Sequence, residues 1–357
     1  MIINNTKRYG IIIGGVKQLS ASKVIIERRD TIMVRFAVIG TNRITDNFIE
    51  AAKLCKEFEL VAVYSRTRKR AVQYASKHQI ALVYDDLEEL AASKEVDAVY
   101  VASPNSLHAD QSIMMLNGKK HVLCEKTIAS NQKELAIMLK AAKDNGVILL
   151  EAMRSVFDPG FKAIEANLGK LGIIRRVTFQ YCQYSSRYDN FKNGIVENAF
   201  NPIFSNGALM DIGVYCIHPL VKLFGMPQKL WADAIILNNG VDGAGTIMVK
   251  YEGMQGELIY SKISNSGVPS QIQGEKGCMI IKEIPDPREI TIIYNDGNKE
   301  DIPIYKCDKN MYYEVEELIR LIQTKSNAQK HNQCSLMQLS IMDEVRKQMG
   351  ITFPADV

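Results

Sequence analysis

No cysteine pairing pattern runs through this chain. Its seven cysteines (Cys55, Cys124, Cys182, Cys216, Cys278, Cys307 and Cys334) are scattered, odd in number and never spaced C-x-x-C. That spacing argues against a disulfide framework or a zinc site and fits free thiols in a reducing cytoplasm. The five histidines (His78, His108, His121, His218 and His331) are as dispersed, with no H-E-x-x-H, so no metal is implied. An uninterrupted run of eighteen apolar residues is also missing, and no membrane span is expected. The body lacks a surplus of either charge. The net +4 resides in residues 1–33, which hold six basic and two acidic residues, while the rest of the chain balances 38 against 38. A nucleic-acid-binding body would show a basic excess, so that class of partner is not expected.

What is present is length. A chain of 357 residues with 46% hydrophobic content exceeds what one core usually supports, which makes two domains the default. Residues 1–32 stand apart: the apolar stretch Ile11 to Ile13 is short, Lys17 interrupts it, and no small-residue cleavage site follows. Met33 directly precedes the first clear strand. The expectation is a loose or non-native extension, with a packed arm as the alternative. Residues 33–151 then form one domain and residues 152–357 the other, whose last helices can pack back on the first.

The stretch from Val99 to Ala129 organises the first domain. A β-branched run ends in Ser103-Pro104-Asn105, and a second run, Lys120 to Cys124, ends in Glu125-Lys126-Thr127. Between them Ser106 opens a helix that Asn117-Gly118 closes. Strand, helix and strand with a right-handed crossover form a βαβ unit. Ligands of such sheets sit outside the carboxyl ends of the strands, so these two junctions are expected to border the active site.

The chain enters this domain through Val34 to Ile39, a buried-strand run, followed by Gly40-Thr41-Asn42-Arg43-Ile44-Thr45 and helical spacing over Asp46 to Phe58. Strand, glycine turn and helix make a dinucleotide-phosphate site, because a helix N-terminus offers free N–H groups and the positive dipole end. Only Gly40 remains of the three fingerprint glycines. Asn42 and Thr45 stand at the other two positions, and because asparagine tolerates a positive φ better than most residues the turn can survive. After the next strand, Leu60 to Tyr64, come Ser65 and Arg66 rather than an acid. An acid there binds the ribose of NAD and an arginine accommodates the phosphate of NADP; NADP(H) is favoured, with NAD(H) open and a merely solvated helix start as the bland alternative. A helix over Asn131 to Asn145, stopped by Gly146, and a sixth strand at Val147 to Glu151 complete a doubly wound parallel sheet near residue 151.

Beyond it the pattern changes. A helix is expected over Asp158 to Asn167 and another over Gly207 to Phe224, with closing helices near 310–324 and 334–349. Strands are expected at Arg176 to Ser186, Leu230 to Leu237, Thr246 to Tyr251, Gly256 to Ile263, Met279 to Glu283 and Glu289 to Tyr294. Short turns such as Glu252-Gly253 and Asn295-Asp296-Gly297 indicate a mainly antiparallel sheet and an α+β domain.

Taken together, VIGTNRI, YSRT, SPNSLH, GKKHVLCEKT, EAMR and GALMDIGVYCIH resemble, in order and spacing, the glucose-fructose oxidoreductase, inositol dehydrogenase and rhizopine-catabolism (Gfo/Idh/MocA) oxidoreductases. The resemblance covers the chain from about Val34 onward. It implies a Rossmann domain, a C-terminal domain whose large open sheet is used for oligomerisation, here guessed to be a homodimer, and nicotinamide-dependent chemistry on a sugar, polyol or dihydrodiol-like substrate. By resemblance Lys126 and Tyr215 form the proton relay, with Asp211 on the same helix face as Tyr215. Glu125 then binds the nicotinamide ribose, and Ala102, Ser103, Pro104, Asn105 and His108 border the cofactor. Three departures stand out: Thr127 replaces the proline of Glu-Lys-Pro, Asn206 replaces a glycine, and Arg154 stands where many members have tryptophan, a place to touch cofactor or substrate. Two other readings stay open: a silent dinucleotide-binding sensor, and redox-neutral use of tightly held NAD in glycosidic cleavage.

Overall fold

The computed structural model describes residues 33–357, so the N-terminal extension and its expected character lie outside the described residues. Six strands, β1 (Val34–Ile39), β2 (Phe58–Tyr64), β3 (Leu82–Tyr84), β4 (Ala98–Val101), β5 (His121–Glu125) and β6 (Leu149–Ala152), form a sheet in the order β3-β2-β1-β4-β5-β6. All of its pairings are parallel. Helices cover it, so its strands are buried almost throughout, which is why they read as continuous apolar runs. The chain reverses its direction of winding between β1 and β4, and the crevice at that point opens at the carboxyl ends of the strands.

The second sheet has eight strands: β7 (Ile174–Cys182), β8 (Lys229–Ile236), β9 (Asp242–Tyr251), β10 (Met254–Ser261), β11 (Ser270–Gly274), β12 (Gly277–Ile281), β13 (Ile290–Tyr294) and β14 (Lys299–Asp301). Their order is β14-β13-β12-β11-β7-β10-β9-β8, and the β7–β10 pair alone is parallel. Val177 and Phe179 of β7 are fully buried, while Tyr181 is partly exposed.

Several boundaries differ from the sequence reading. The first helix spans Arg43–Ala52, three residues earlier than expected, because Asn42 caps it by accepting the N–H groups of Ile44 and Thr45. Phe58 already belongs to β2. The strand expected to reach Ser186 ends at Cys182, and Ser185 instead caps a short helix, Ser186–Lys192. β11 and β14 are short and rich in polar residues and so leave no apolar alternation in the sequence.

The helix carrying Asp211 and Tyr215 begins with a π turn, Leu209–Gly213, and continues as Val214–Phe224. By length and a mean hydropathy of 1.3 the 23-residue stretch Pro202–Phe224 qualifies as a membrane span, which the count of uninterrupted apolar residues did not register. It is 78% buried inside the protein, as the core helix of a folded body is. Its start is fixed by Asp242, whose Oδ2 accepts the Leu209 N–H at 2.6 Å. Gly207 makes that approach feasible: its φ is +155° and a Cβ there would lie 2.2 Å from Asp242 Oδ1.

The last helix, Gln329–Met349, bridges both sheets. Ser335 and Gln338 donate to the buried Glu151 of β6, and Gln348 accepts the N–H of Ala232 on β8 at 2.9 Å. His218 is buried against Gln338 and lies 3.6 Å from Glu151. Burial pulls its imidazole down to about 4, so at neutral pH it is a neutral structural residue.

Burial pushes the Asp242 carboxyl up from 3.8 to about 6, against the hydrogen bond from Leu209. The folded protein therefore holds this proton more tightly than the unfolded chain. Between about pH 4 and pH 6 this group makes stability fall as pH rises, and acidification through the window restores it. Asp242→Asn, which keeps an acceptor for the helix start, should remove a slope on the order of 1 kcal/mol per pH unit. Urea denaturation at intervals from pH 4 to 6.5 reads it; identical slopes for both proteins would refute the assignment.

Candidate active site

The candidate site is built from the carboxyl ends of five strands of the parallel sheet, β1, β2, β4, β5 and β6, and from the helix Val214–Phe224 with its π turn. The end of β5 contributes Glu125, Lys126 and Thr127. Lys126 Nζ donates to Asp211 Oδ1 at 2.9 Å and to the Asp211 backbone oxygen at 2.7 Å, and it lies 5.0 Å from the centre of the Tyr215 ring. Arg154, just after β6, covers the same ring at 5.5 Å, and Tyr181 of β7 meets it edge-on at 5.7 Å. Tyr215 itself is 5% exposed, and its hydroxyl makes no hydrogen bond among the described residues. The sequence-derived trio Lys126, Asp211 and Tyr215 thus meets in space, with Arg154 added.

A lysine that the sequence reading passed over completes the cluster. Lys262, directly after β10, pairs with Asp211 Oδ2 and is 3% exposed. Burial opposes ionisation of Asp211, but Lys126 and Lys262 outweigh it and hold the carboxyl far below the usual range. Burial likewise works against the charge on Lys126, and Asp211, Tyr215 and Glu125 overcome it, so its ammonium is raised above the ordinary lysine value. For Lys262 burial wins, countered in part by Asp211, and the value is lowered. No periodicity or motif marks a lone lysine after a strand, so only the packing reveals it.

Glu125 accepts from the Tyr100 hydroxyl and from the Lys126 N–H. Burial raises its carboxyl despite the charge of Lys126. A second buried carboxyl, Glu314 on the helix Tyr312–Gln323, is also raised by burial and then by the charge of Glu125, and neither of its oxygens is hydrogen-bonded among the described residues. Thr127, in place of the expected proline, donates its hydroxyl to the Met210 backbone oxygen at 2.7 Å, and the Lys126–Thr127 peptide is cis.

The nucleotide edge is built from Gly40 to Ile44 and the loop after β4. Gly40 has φ +111°, and a Cβ there would stand 2.6 Å from the Ala102 oxygen; a side chain would fill the cradle. Asn42 donates to that same oxygen at 2.8 Å while its Oδ1 caps the helix. Two of the N–H groups expected to be free are therefore taken. Those of Thr41, Asn42 and Arg43 make no hydrogen bond among the described residues and remain for an anion.

After β2, Ser65 is buried, and Arg66 is exposed without a hydrogen bond or ion pair among the described residues. Arg70 reaches back to Thr41, donating to Oγ1 at 2.6 Å, and Arg68 pairs with Asp85 at 3.3 Å. These features fit a dinucleotide. Ser103, Pro104 and Asn105 line the loop after β4, and Asn105 donates to the Ser205 oxygen at 3.0 Å across the cleft. His108 sits between two backbone oxygens, with Nδ1 2.9 Å from the Thr127 oxygen and Nε2 2.8 Å from the Ser103 oxygen, and its neutral ring donates to one of the two. It clamps two loops, with burial lowering its imidazole.

Of the loop Tyr184 to Phe204, Tyr188 packs on Phe191 and Phe200, and Arg187 lies 3.5 Å from Glu197. A cavity of about 900 Å³ between the helix Gln132–Asn145 and residues 325–336 opens at the amino end of β6, away from this cleft.

Residues 34–153 match the oxidoreductase family with an NAD-binding Rossmann fold, and residues 164–280 match the GFO/IDH/MocA C-terminal domain. The chain belongs to the Gfo/Idh/MocA oxidoreductases. Scyllo-inositol 2-dehydrogenase (NADP(+)) IolU of Bacillus subtilis (strain 168) is 51% identical over 326 residues, covering 91% of this chain and 99% of that one. A trans-1,2-dihydrobenzene-1,2-diol dehydrogenase of Danio rerio is 27% identical over 342 residues, 90% of this chain and 99% of the other. Among solved structures, KijD10, a 3-ketoreductase from Actinomadura kijaniata in complex with NADP and TDP-benzene, superposes with a TM-score of 0.80 at 21% identity, covering 89% of this chain and 98% of that one. As a Gfo/Idh/MocA member the chain is an enzyme with an NAD(P)-binding Rossmann fold and a second, mostly antiparallel sheet.

Proposed function

We propose that this protein interconverts a secondary alcohol and its carbonyl on a polyol, sugar or dihydrodiol-like ring, using NADP(H), with Lys126 and Tyr215 handling the proton. The observation that carries the reading is the Lys126 ammonium, bound to Asp211 and laid against Tyr215 at the carboxyl edge of the parallel sheet. Oxidation takes a hydride from the carbinol carbon and a proton from its hydroxyl, and nicotinamide supplies the hydride acceptor when bound. Lys126 spends two of its three N–H groups on Asp211 and keeps one for the substrate oxygen. Its charge stabilises the oxyanion that develops there. Tyr215, whose oxygen makes no hydrogen bond among the described residues, takes up the proton as a phenolate in oxidation and returns it as a phenol in reduction. Glu125 and Arg154 flank this position and would hold the ribose and orient the substrate. Gly40 to Ile44 would hold the pyrophosphate, and Ser65 with Arg66 the adenosine phosphate.

The 51% identity to an NADP(+)-dependent inositol dehydrogenase supports both the cofactor and a cyclic polyol. Seven free cysteines suit a reducing cytoplasm. The outer face of the second sheet supports a homodimer, since Trp231 and Met248, cross-strand neighbours, are each 51% exposed and Ile235 is 60% exposed.

Three outcomes test these statements. Lys126→Ala and Tyr215→Phe should each lower kcat by about 10²-fold or more while NADPH still binds; turnover at the wild-type rate in both would refute the relay. Fluorescence titration should find NADPH bound more tightly than NADH, with Arg66→Ala weakening NADPH by about tenfold and leaving NADH unchanged. Equal affinities in the wild type would remove the phosphate contact. Light scattering should give twice the chain mass, and a monomer would overturn the dimer.

A further inference from the structure

Asp211 is one carboxylate with two ammonium partners, and only Lys126 belongs to the proposed relay. Lys262 holds its place without help from substrate or cofactor. Its backbone N–H donates to the Gly243 oxygen at 2.9 Å and its own oxygen accepts the Ser185 N–H at 2.9 Å, so the residue is pinned from both sides. Its ammonium lies 5.1 Å from the centre of the Phe200 ring and ends on Asp211 Oδ2. Burial of such a charge is costly unless it is paired, and the pairing here has an electrostatic consequence. With Lys126 alone, Asp211 would form a neutral ion pair and little field would reach the cleft. With both lysines, the carboxylate is already satisfied at Oδ2, and the trio carries a net charge of about +1.

We propose that Lys262 is a positioning residue. By neutralising Asp211 from the sheet side it leaves the Lys126 charge directed at the reacting oxygen and at the nicotinamide ring. The inference rests on the proposed function for where nicotinamide sits. Arg154 adds to the same field, and Glu125 opposes it; both remain in place when Lys262 is changed. A net positive charge there disfavours the cationic oxidised nicotinamide relative to the neutral reduced one.

The test needs no turnover. Calorimetric titration gives the dissociation constants of NADP⁺ and NADPH for wild type, Lys262→Met and Lys262→Arg. Removing one charge at this range should lower the ratio Kd(NADP⁺)/Kd(NADPH) by about fivefold in Lys262→Met, and Lys262→Arg should restore it. A merely structural lysine would weaken both forms alike and leave the ratio unmoved, and that result overturns the proposal. Lys262→Gln replaces Lys262→Met if the latter is recovered unfolded, with the same two outcomes. If the ratio shifts but no polyol or dihydrodiol is turned over by the wild type, the proposed reaction fails while the charge arrangement stands.

Discussion

The carboxylate of Asp211 is the point on which the two sheets' contributions meet. Lys126 reaches it from the end of β5 and Lys262 from the end of β10. A buried ion pair carries a large desolvation cost and stabilises only when its remaining donors and acceptors are satisfied. Here the backbone helps: the Asp211 oxygen takes a second N–H from Lys126, Thr127 bonds to Met210, and Asn105 bonds to Ser205. These contacts tie the loops after β4 and β5 to the helix that bears Tyr215. The width and charge of the cleft follow from them.

The nucleotide side obeys a different constraint, that of close backbone approach. One glycine suffices because Asn42 does two jobs, capping the first helix and holding the Ala102 oxygen. Gly40 lets those strands come near enough for that contact. The fingerprint is sparse, yet the turn it normally builds is formed, with three N–H groups left over. Arg70, bound to Thr41, stiffens this turn from the neighbouring helix, and of the three arginines in this run Arg66 is the one without a hydrogen bond or ion pair among the described residues.

Much of this was legible beforehand because parallel strands buried on both faces leave unbroken apolar runs, and β1, β4, β5 and β6 are such runs. Boundaries set by caps were harder: Asn42 and Ser185 start helices where periodicity alone continued a turn or a strand. Short polar strands such as Lys299–Asp301 have no pattern of their own and exist because β13 offers them a partner. Asp211 and Tyr215 stand out through the family resemblance of GALMDIGVYCIH rather than through their i, i+4 spacing, and a π turn opens their helix.

By itself the sequence determined the doubly wound sheet, the glycine turn, the lysine after β5 and the helix that carries Asp211 and Tyr215. Each depends on local propensity and short-range spacing, which a linear reading contains. Tertiary structure alone decided that Lys262 shares Asp211, that Glu314 stands buried near Glu125, that His108 and His218 are structural, and that Asp242 caps the Tyr215 helix. Those facts join residues tens to hundreds of positions apart. Burial and charge at such places are properties of the packed neighbourhood, and no window along the chain holds them.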